Sequence, residues 1–459
     1  MSTTLDLRKY ITKYGIHKIS VYATGEGFRN SATVEQEYDC KPFVSYEIDY
    51  ISVRNIQPGV SKIDLYVDGT VEKTIEHDTS LTDDITVDLT DTSITGSTIK
   101  TVYVIVTTDY GEFKSNETTT AQVYGVKGLY DKANTLTRTD HAVDKTYTIN
   151  NGKVTSDFDE LFPYCEMKEV TDDYGNVFVT IPEMWWRIET DDDHNIMSIA
   201  VCKDKKLDGK WFRSDAFQVG KYLAYNENGK MVSKSGKSQG QNYSAVGWTA
   251  YATANGDGYK PIGLYEQTIL DFLWLVEFAN KDSKQVMAGY YYNNSVTGLT
   301  DSISDSTGYL PNTNGKMKYR GIEDFTGNDC VWCPDITTNY YVTRDVNYYK
   351  AGTTGKKQLC YWENVKSMAS WSWKCVMALG WDDDNPFFCF PSKIGSNGQS
   401  TEYFKAGMYG PYNSADYCGR AKFYTNYNTT YNTQLFSFIM EYNYNSTNDQ
   451  TTSRLVRYI

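Results

Sequence analysis

The residues with the most distinctive chemistry lie toward the C-terminal end. Residues 401–459 hold ten of the chain's 40 tyrosines, about twice the average density for 459 residues, together with seven asparagines. They cluster as Tyr424, Asn426, Tyr427 and Asn428, then Tyr431 and Asn432, then Tyr442, Asn443, Tyr444 and Asn445. Tyrosine offers a large amphipathic contact area with two torsions to freeze, and asparagine offers adaptable hydrogen bonds, so the pattern suits a binding surface. Tyrosines also cap cores from within strands. Here the closely spaced ones alternate with polar residues and lack aliphatic partners, which is poor core chemistry. Four tyrosines covering ~150 Å² each would bury ~600 Å², near the ~800 Å² per partner of a standard interface. At ~25 cal/mol/Å² that is a gross ~15 kcal/mol, set against association costs of roughly 4–15 kcal/mol. Single sites of this size bind modestly, and several copies on one particle lengthen residence.

Other constellations are less specific. Cys330 and Cys333 form one CxxC, but the four histidines (17, 77, 141 and 194) are remote in sequence and structural zinc takes four ligands. Buried thiols are the favoured reading. Cys360, Cys375, Cys389 and Cys418 have no activating histidine nearby in sequence. The acidic runs Asp191–Asp193 and Asp382–Asp384 are solvated turns or calcium sites, and calcium stays open for the second because Pro386 and the aromatics Trp381, Phe387 and Phe388 would fix that loop. Glu323 and Asp324 are adjacent and so face opposite sides of a strand, which argues against acid–base work and for internal links to Arg320. The sequence lacks a catalytic triad order, a phosphate loop and HExxH. A non-enzymatic protein that needs no cofactor is the expectation.

The elements that must position the tyrosines are mostly strands. Apolar and aromatic content (40% and 15%) is enough to fold, and 459 residues call for two to four domains. With 45 basic against 58 acidic residues and no long basic run, nucleic-acid binding is disfavoured. No window approaches a membrane span, and no export signal follows Met1, so membrane insertion is not expected. Nine scattered cysteines suit free thiols in a reducing cytoplasm. Period-2 alternation at 17–23 and 32–34 reads as a partial β module over 1–40. Alternating runs at 48–53, 62–67, 85–89 and 102–107, with Asp68-Gly69 as a hairpin turn, read as an immunoglobulin- or fibronectin-like β-sandwich over 41–125. The texture changes after Gly125. Glu266–Phe278 reads as a largely buried helix, Tyr243–Ala254 as a second helix stopped by Asn255-Gly256, and Leu435–Met440 as a buried strand flanked by the Tyr/Asn loops.

Four blocks carry a resemblance: Phe178–Trp186, Val219–Tyr222, Arg320–Asn328 with Val331-Trp332 behind it, and Cys418–Arg420 through Leu435-Phe436 to Ser453–Leu455. In this order residues 126–459 resemble the C-type-lectin-fold, formylglycine-generating-enzyme-like domains found as variable proteins of diversity-generating retroelements and as phage tail receptor-binding proteins. The chain departs from that pattern at Asp329 and Cys330, which look inserted, and at Cys418–Phe423, where a Gly-Gly-x-Trp is usual. The resemblance implies an α+β fold class: immunoglobulin-like modules, then a C-type-lectin-like domain with two helices and short antiparallel strands, its variable region at about 404–459. It further implies binding of a host cell-surface protein or glycan, attachment to phage tail or baseplate proteins through the N-terminal modules, a homotrimer, and a place on the virion or alternatively on a bacterial surface. Alternatives within the same fold are a glycan-binding lectin and a formylglycine-generating-type oxidase.

Overall fold

A computed structural model describes residues 11–21, 33–46, 50–89, 92, 94, 100–120, 122–203, 210–238, 240, 242–287, 296–311, 316–326, 330–338, 342–345, 356–361, 374–395, 403–404, 406–409, 435–439, 445–447 and 451–458. It divides into two compact units, one of Met1–Gln122 with Lys206–Gly209, the other of Val123–Lys205 and Lys210–Ile459.

The first unit is a sandwich. One sheet has Val60–Val67 between Thr101–Thr108 and Thr70–Glu76; a second has Tyr50–Arg54 between Phe43–Tyr46 and Ile85–Asp88. Thr101–Thr108 buries every second residue, as a strand with one dry face must. The turn at Asp68 and Gly69 takes φ of 49° and 81°, the left-handed pair that matches the twist of a two-residue hairpin. Ile11, Tyr14 and Cys40 bury into this same core, so the N-terminal residues share the sandwich's interior.

The second unit corrects the α+β expectation. Among the described residues the protein is largely β, with 44% strand against 12% helix, and the α-helices are three: α1 (Ala245–Thr253), α2 (Leu264–Phe278) and the single turn α3 (Ser283–Val286). The physical reason lies in 123–220, where runs such as Val177–Ile181, Met184–Thr190 and Ile196–Cys202 alternate or are β-branched and pair into five-stranded sheets. Nor are all strands antiparallel: Cys330–Val331 runs parallel to Thr451–Thr452, and Gly407–Tyr409 parallel to Phe438–Ile439.

Two hairpins in this unit close with one device. Asp172 accepts from the backbone N–H of Tyr174 and Asn176 and from the Asn176 amide, at 2.8–2.9 Å; Asp191 does the same with Asp193 and Asn195, at 2.8–3.1 Å. The fourth residue of each loop, Gly175 or His194, takes the left-handed conformation that lets the chain return. The buried asparagines then reach outward from their loops. Asn176 Oδ1 accepts from Ser233 N–H and Asn195 Oδ1 from Ser392 Oγ.

Helix α2 forms the centre of the core, with all fifteen residues buried. Such a helix must satisfy its polar ends inside the protein. Arg138 donates to the carbonyls of Val276 and Glu277 at its C-terminal end, a favourable place for a cation. Glu277, wholly buried, is held by the Arg320 guanidinium through Nε (3.0 Å) and Nη2, and Arg320 Nη1 reaches Asp159 at 2.7 Å. Arg320 therefore links to the helix and to Asp159. Glu323 and Asp324 do make internal links, but to partners other than Arg320: Glu323 accepts from Gly298 N–H, Thr300 N–H and Thr300 Oγ1, and Asp324 pairs with Lys316 at 2.7 Å.

Removing one partner of a buried charge pair strands the other. Arg320→Ala is expected to lower unfolding free energy by about 3–5 kcal/mol, while Arg320→Met combined with Glu277→Leu costs much less, both measured by denaturant unfolding.

Candidate ligand-binding site

Of the ten sequence-predicted contact residues, Asn445 falls within the described structure, as an exposed turn residue. Tyr424, Asn426, Tyr427, Asn428, Tyr431, Asn432, Tyr442, Asn443 and Tyr444 lie outside the described residues. The described residues form the frame that flanks these stretches on either side.

The frame's first side is a four-stranded sheet ordered Pro391–Ile394, Lys374–Leu379, Gly407–Tyr409, Phe438–Ile439. Met408 is aligned with Lys374 on one side and Phe438 on the other, so the strands that bracket residues 410–434 lie side by side. The expected strand Leu435–Met440 shrinks to Phe438–Ile439: Leu435 and Phe436 form a turn with Phe436 at φ 59°, and Met440 lies outside the described residues. That turn lets both consecutive side chains face the core, which strand alternation would forbid. Phe436 packs 6.4 Å from Phe272 of α2 and 5.5 Å from Phe404, and Phe438 packs 4.9 Å from Phe390, ring centre to ring centre.

Phe404 is held in turn by Lys281, which sits over its ring and donates to the carbonyls of Leu129 (3.1 Å) and Asp131 (2.6 Å). Burial pushes this ammonium down to about 8.

The second side is the C-terminal strand Leu455–Arg457, inserted between Phe217–Gly220 and Tyr259–Pro261. Arg454, buried before it, donates to the carbonyls of Gly220, Lys221 and Glu323 at 2.7–2.8 Å. Burial lowers its guanidinium to about 10. Glu323 N–H also donates to the Lys221 carbonyl, and Trp332 N–H to that of Thr452. The segments 219–222, 320–324, 331–332 and 452–455, separate in sequence, are thus tied together where the C-terminal stretch ends.

Helix α2 carries both sides, and its N-terminus is pinned by a buried carboxylate cluster. Asp335 accepts from Leu264 N–H (2.7 Å) and Tyr265 N–H (3.1 Å), and Glu266 accepts from Gly263 N–H (2.8 Å). Glu266 also takes Lys260 at 2.8 Å and the Tyr458 hydroxyl at 2.5 Å. Gly263 is required here, because a Cβ would lie 2.1 Å from Asp335 Oδ2. Sequence reasoning missed Asp335 and Lys260: a cap donated from about seventy residues away leaves no local signal.

The acidic-run and cysteine candidates have the following partners and surroundings within the described residues. Asp191 and Asp382 spend their oxygens on their own turns; Asp382 accepts from Asp384 N–H, Cys360 N–H and the Asn385 amide. Among the described residues no group of three or more carboxylate, histidine or cysteine side chains is placed to hold a metal ion. Burial and nearby Asp382 push the Cys360 thiol up to about 11, and burial pushes Cys389 well above its usual value. A raised thiol pKa favours the thiol over the nucleophilic thiolate. Cys333 and Cys375 are buried, and Cys418 lies outside the described residues.

A scan against protein-family models finds no match to this chain, and a search of the curated proteins finds none.

Burial, partly offset by Lys260 and the two helix N–H groups, pushes the Asp335 carboxyl up to about 6. An unfolded aspartate titrates near ~3.9. The native state therefore binds this proton more tightly, and Asp335's contribution to stability rises as pH falls from about 6 toward 4 and is lost as pH rises back through 6. Denaturant unfolding of the wild type and Asp335→Asn across that window is expected to show the acid-side gain in the wild type and a flatter profile in the variant.

Proposed function

We propose that the chain is a non-enzymatic receptor-binding protein of the C-type-lectin-fold variable type, carried at a phage tail tip or on a bacterial surface. Its Tyr/Asn-rich stretches, about 424–432 and 442–446, contact a host cell-surface protein or glycan by shape and aromatic contact. The observation that carries this reading is the contrast within 404–459. Phe404, Ala406, Met408, Leu435, Phe436, Phe438 and Thr451–Val456 are buried, and the sequence between these anchors is where tyrosine and asparagine replace aliphatic residues. A segment anchored in the core at both ends can vary between its anchors without loss of the fold. Asn, Tyr, Ser and Thr are the residues that rewriting of adenine-rich codons favours, so a retroelement is the proposed source of the composition. The N-terminal unit serves as spacer and attachment to tail or baseplate proteins, and several copies, a homotrimer as the resemblance implies, act jointly on one target surface.

Replacing Tyr427, Tyr431, Tyr442 and Tyr444 together by Ala is expected to abolish adhesion while leaving Tm nearly unchanged. Binding to host cells and a thermal melt check it; a large drop in Tm would make these tyrosines core residues and sink the reading.

A further inference from the structure

In the first unit, Gly15–Val21 and Val34–Cys40 pair antiparallel over seven positions, from Gly15 opposite Cys40 to Val21 opposite Val34. Among the described residues neither strand has a neighbour on its other side. The base of this ribbon is fixed: Tyr14 and Cys40 are buried, and the Tyr14 hydroxyl donates to the Asn55 carbonyl and accepts from Gln57 N–H. The strands themselves are largely exposed, with Ile16 at 71% and residues 35–39 all open to solvent. A two-stranded ribbon is marginal in water by itself, and among the described residues nothing pairs with the outer backbone groups of either strand.

The two edges differ in charge. The Gly15–Val21 strand carries Lys18 and His17; the Val34–Cys40 strand carries Glu35, Glu37 and Asp39. Alternation puts Ile16, Lys18 and Ser20 on one face, opposite Asp39, Glu37 and Glu35 respectively. Two copies joined by like strands would set Lys18 beside Lys18, or the acidic row beside itself. Joining the basic strand of one copy to the acidic strand of the next sets Lys18 among carboxylates at every junction.

We infer that this ribbon is a self-association edge, and that its partner is a second copy of this chain, taken up head to tail. Backbone pairing and cover for Ile16 supply the attraction. Exposed ion pairs contribute little, so Lys18 and Glu37 set the direction of pairing more than its strength. A head-to-tail contact closes into a ring or propagates as a filament, depending on the rotation between copies. The inference is independent of ligand binding, and its test reads mass alone.

Sedimentation velocity on the full chain is expected to show concentration-dependent association. Lys18→Glu and Glu37→Lys, each alone, are expected to weaken association about tenfold. Mixing the two variants is expected to restore it, because each then finds an oppositely charged edge on the other. Since Lys18 already pairs with Glu35 at 2.6 Å and lies opposite Glu37 within one chain, this mixing step separates the two effects: it cannot repair contacts inside a chain. A monomer at every concentration, an assembly indifferent to both substitutions, or a mixture no stronger than its components would each overturn the inference.

Discussion

The complete burial of α2 is the constraint on which the rest of the second unit depends. A fifteen-residue helix with no exposed face can be stable only if its end groups and its charged side chains find partners inside the protein. Asp335 and Glu266 meet the N-terminal N–H groups, Arg138 meets the C-terminal carbonyls, and Arg320 neutralises Glu277. Apart from Glu266, which belongs to the helix itself, each partner comes from a different stretch of chain, so the helix organises the surrounding sheets as much as it is covered by them. The Tyr164 hydroxyl, which donates to the Leu273 carbonyl in mid-helix, adds a further tie.

From α2 the mechanical connection to the C-terminal segment is short. Phe272 touches Phe436, Phe436 touches Phe404, and Lys281 just beyond the helix clamps Phe404 to the 129–131 loop. Glu266, at the other end of the helix, holds Tyr458. Both anchors of the Tyr/Asn-rich region thus rest on one element, as the proposed variable segment would require.

The sequence made some of this legible and hid the rest for identifiable reasons. The run from Glu266 to Phe278 has too many apolar residues for an amphipathic surface helix, so its existence and burial could be read directly, as could the Asp68-Gly69 hairpin. The α+β expectation failed because helices are conspicuous in a sequence, whereas strands of three or four residues such as Tyr259–Pro261 or Leu455–Arg457 become strands only through distant partners. Leu435–Met440 looked like one strand because a mostly apolar run broken only by Ser437 is too short to show a period; a left-handed Phe436 was invisible there. Arg320 was noticed, yet its partner Glu277 sits inside the helix run, where a charge reads as a break in the apolar pattern instead of half of an ion pair. As for the ten proposed contact residues, their composition could be read but not the supports that flank them, since Asp335 and Arg454 act across long separations.

The central claim is that host recognition is confined to the stretches between the buried anchors. Hydrogen–deuterium exchange of the chain, free and bound to its host surface, tests it most directly. The account predicts new protection concentrated in 424–432 and 442–446, with α2 and the sandwich strands unchanged. Protection that maps instead to the N-terminal sandwich, and leaves the Tyr/Asn stretches as they were, would contradict it.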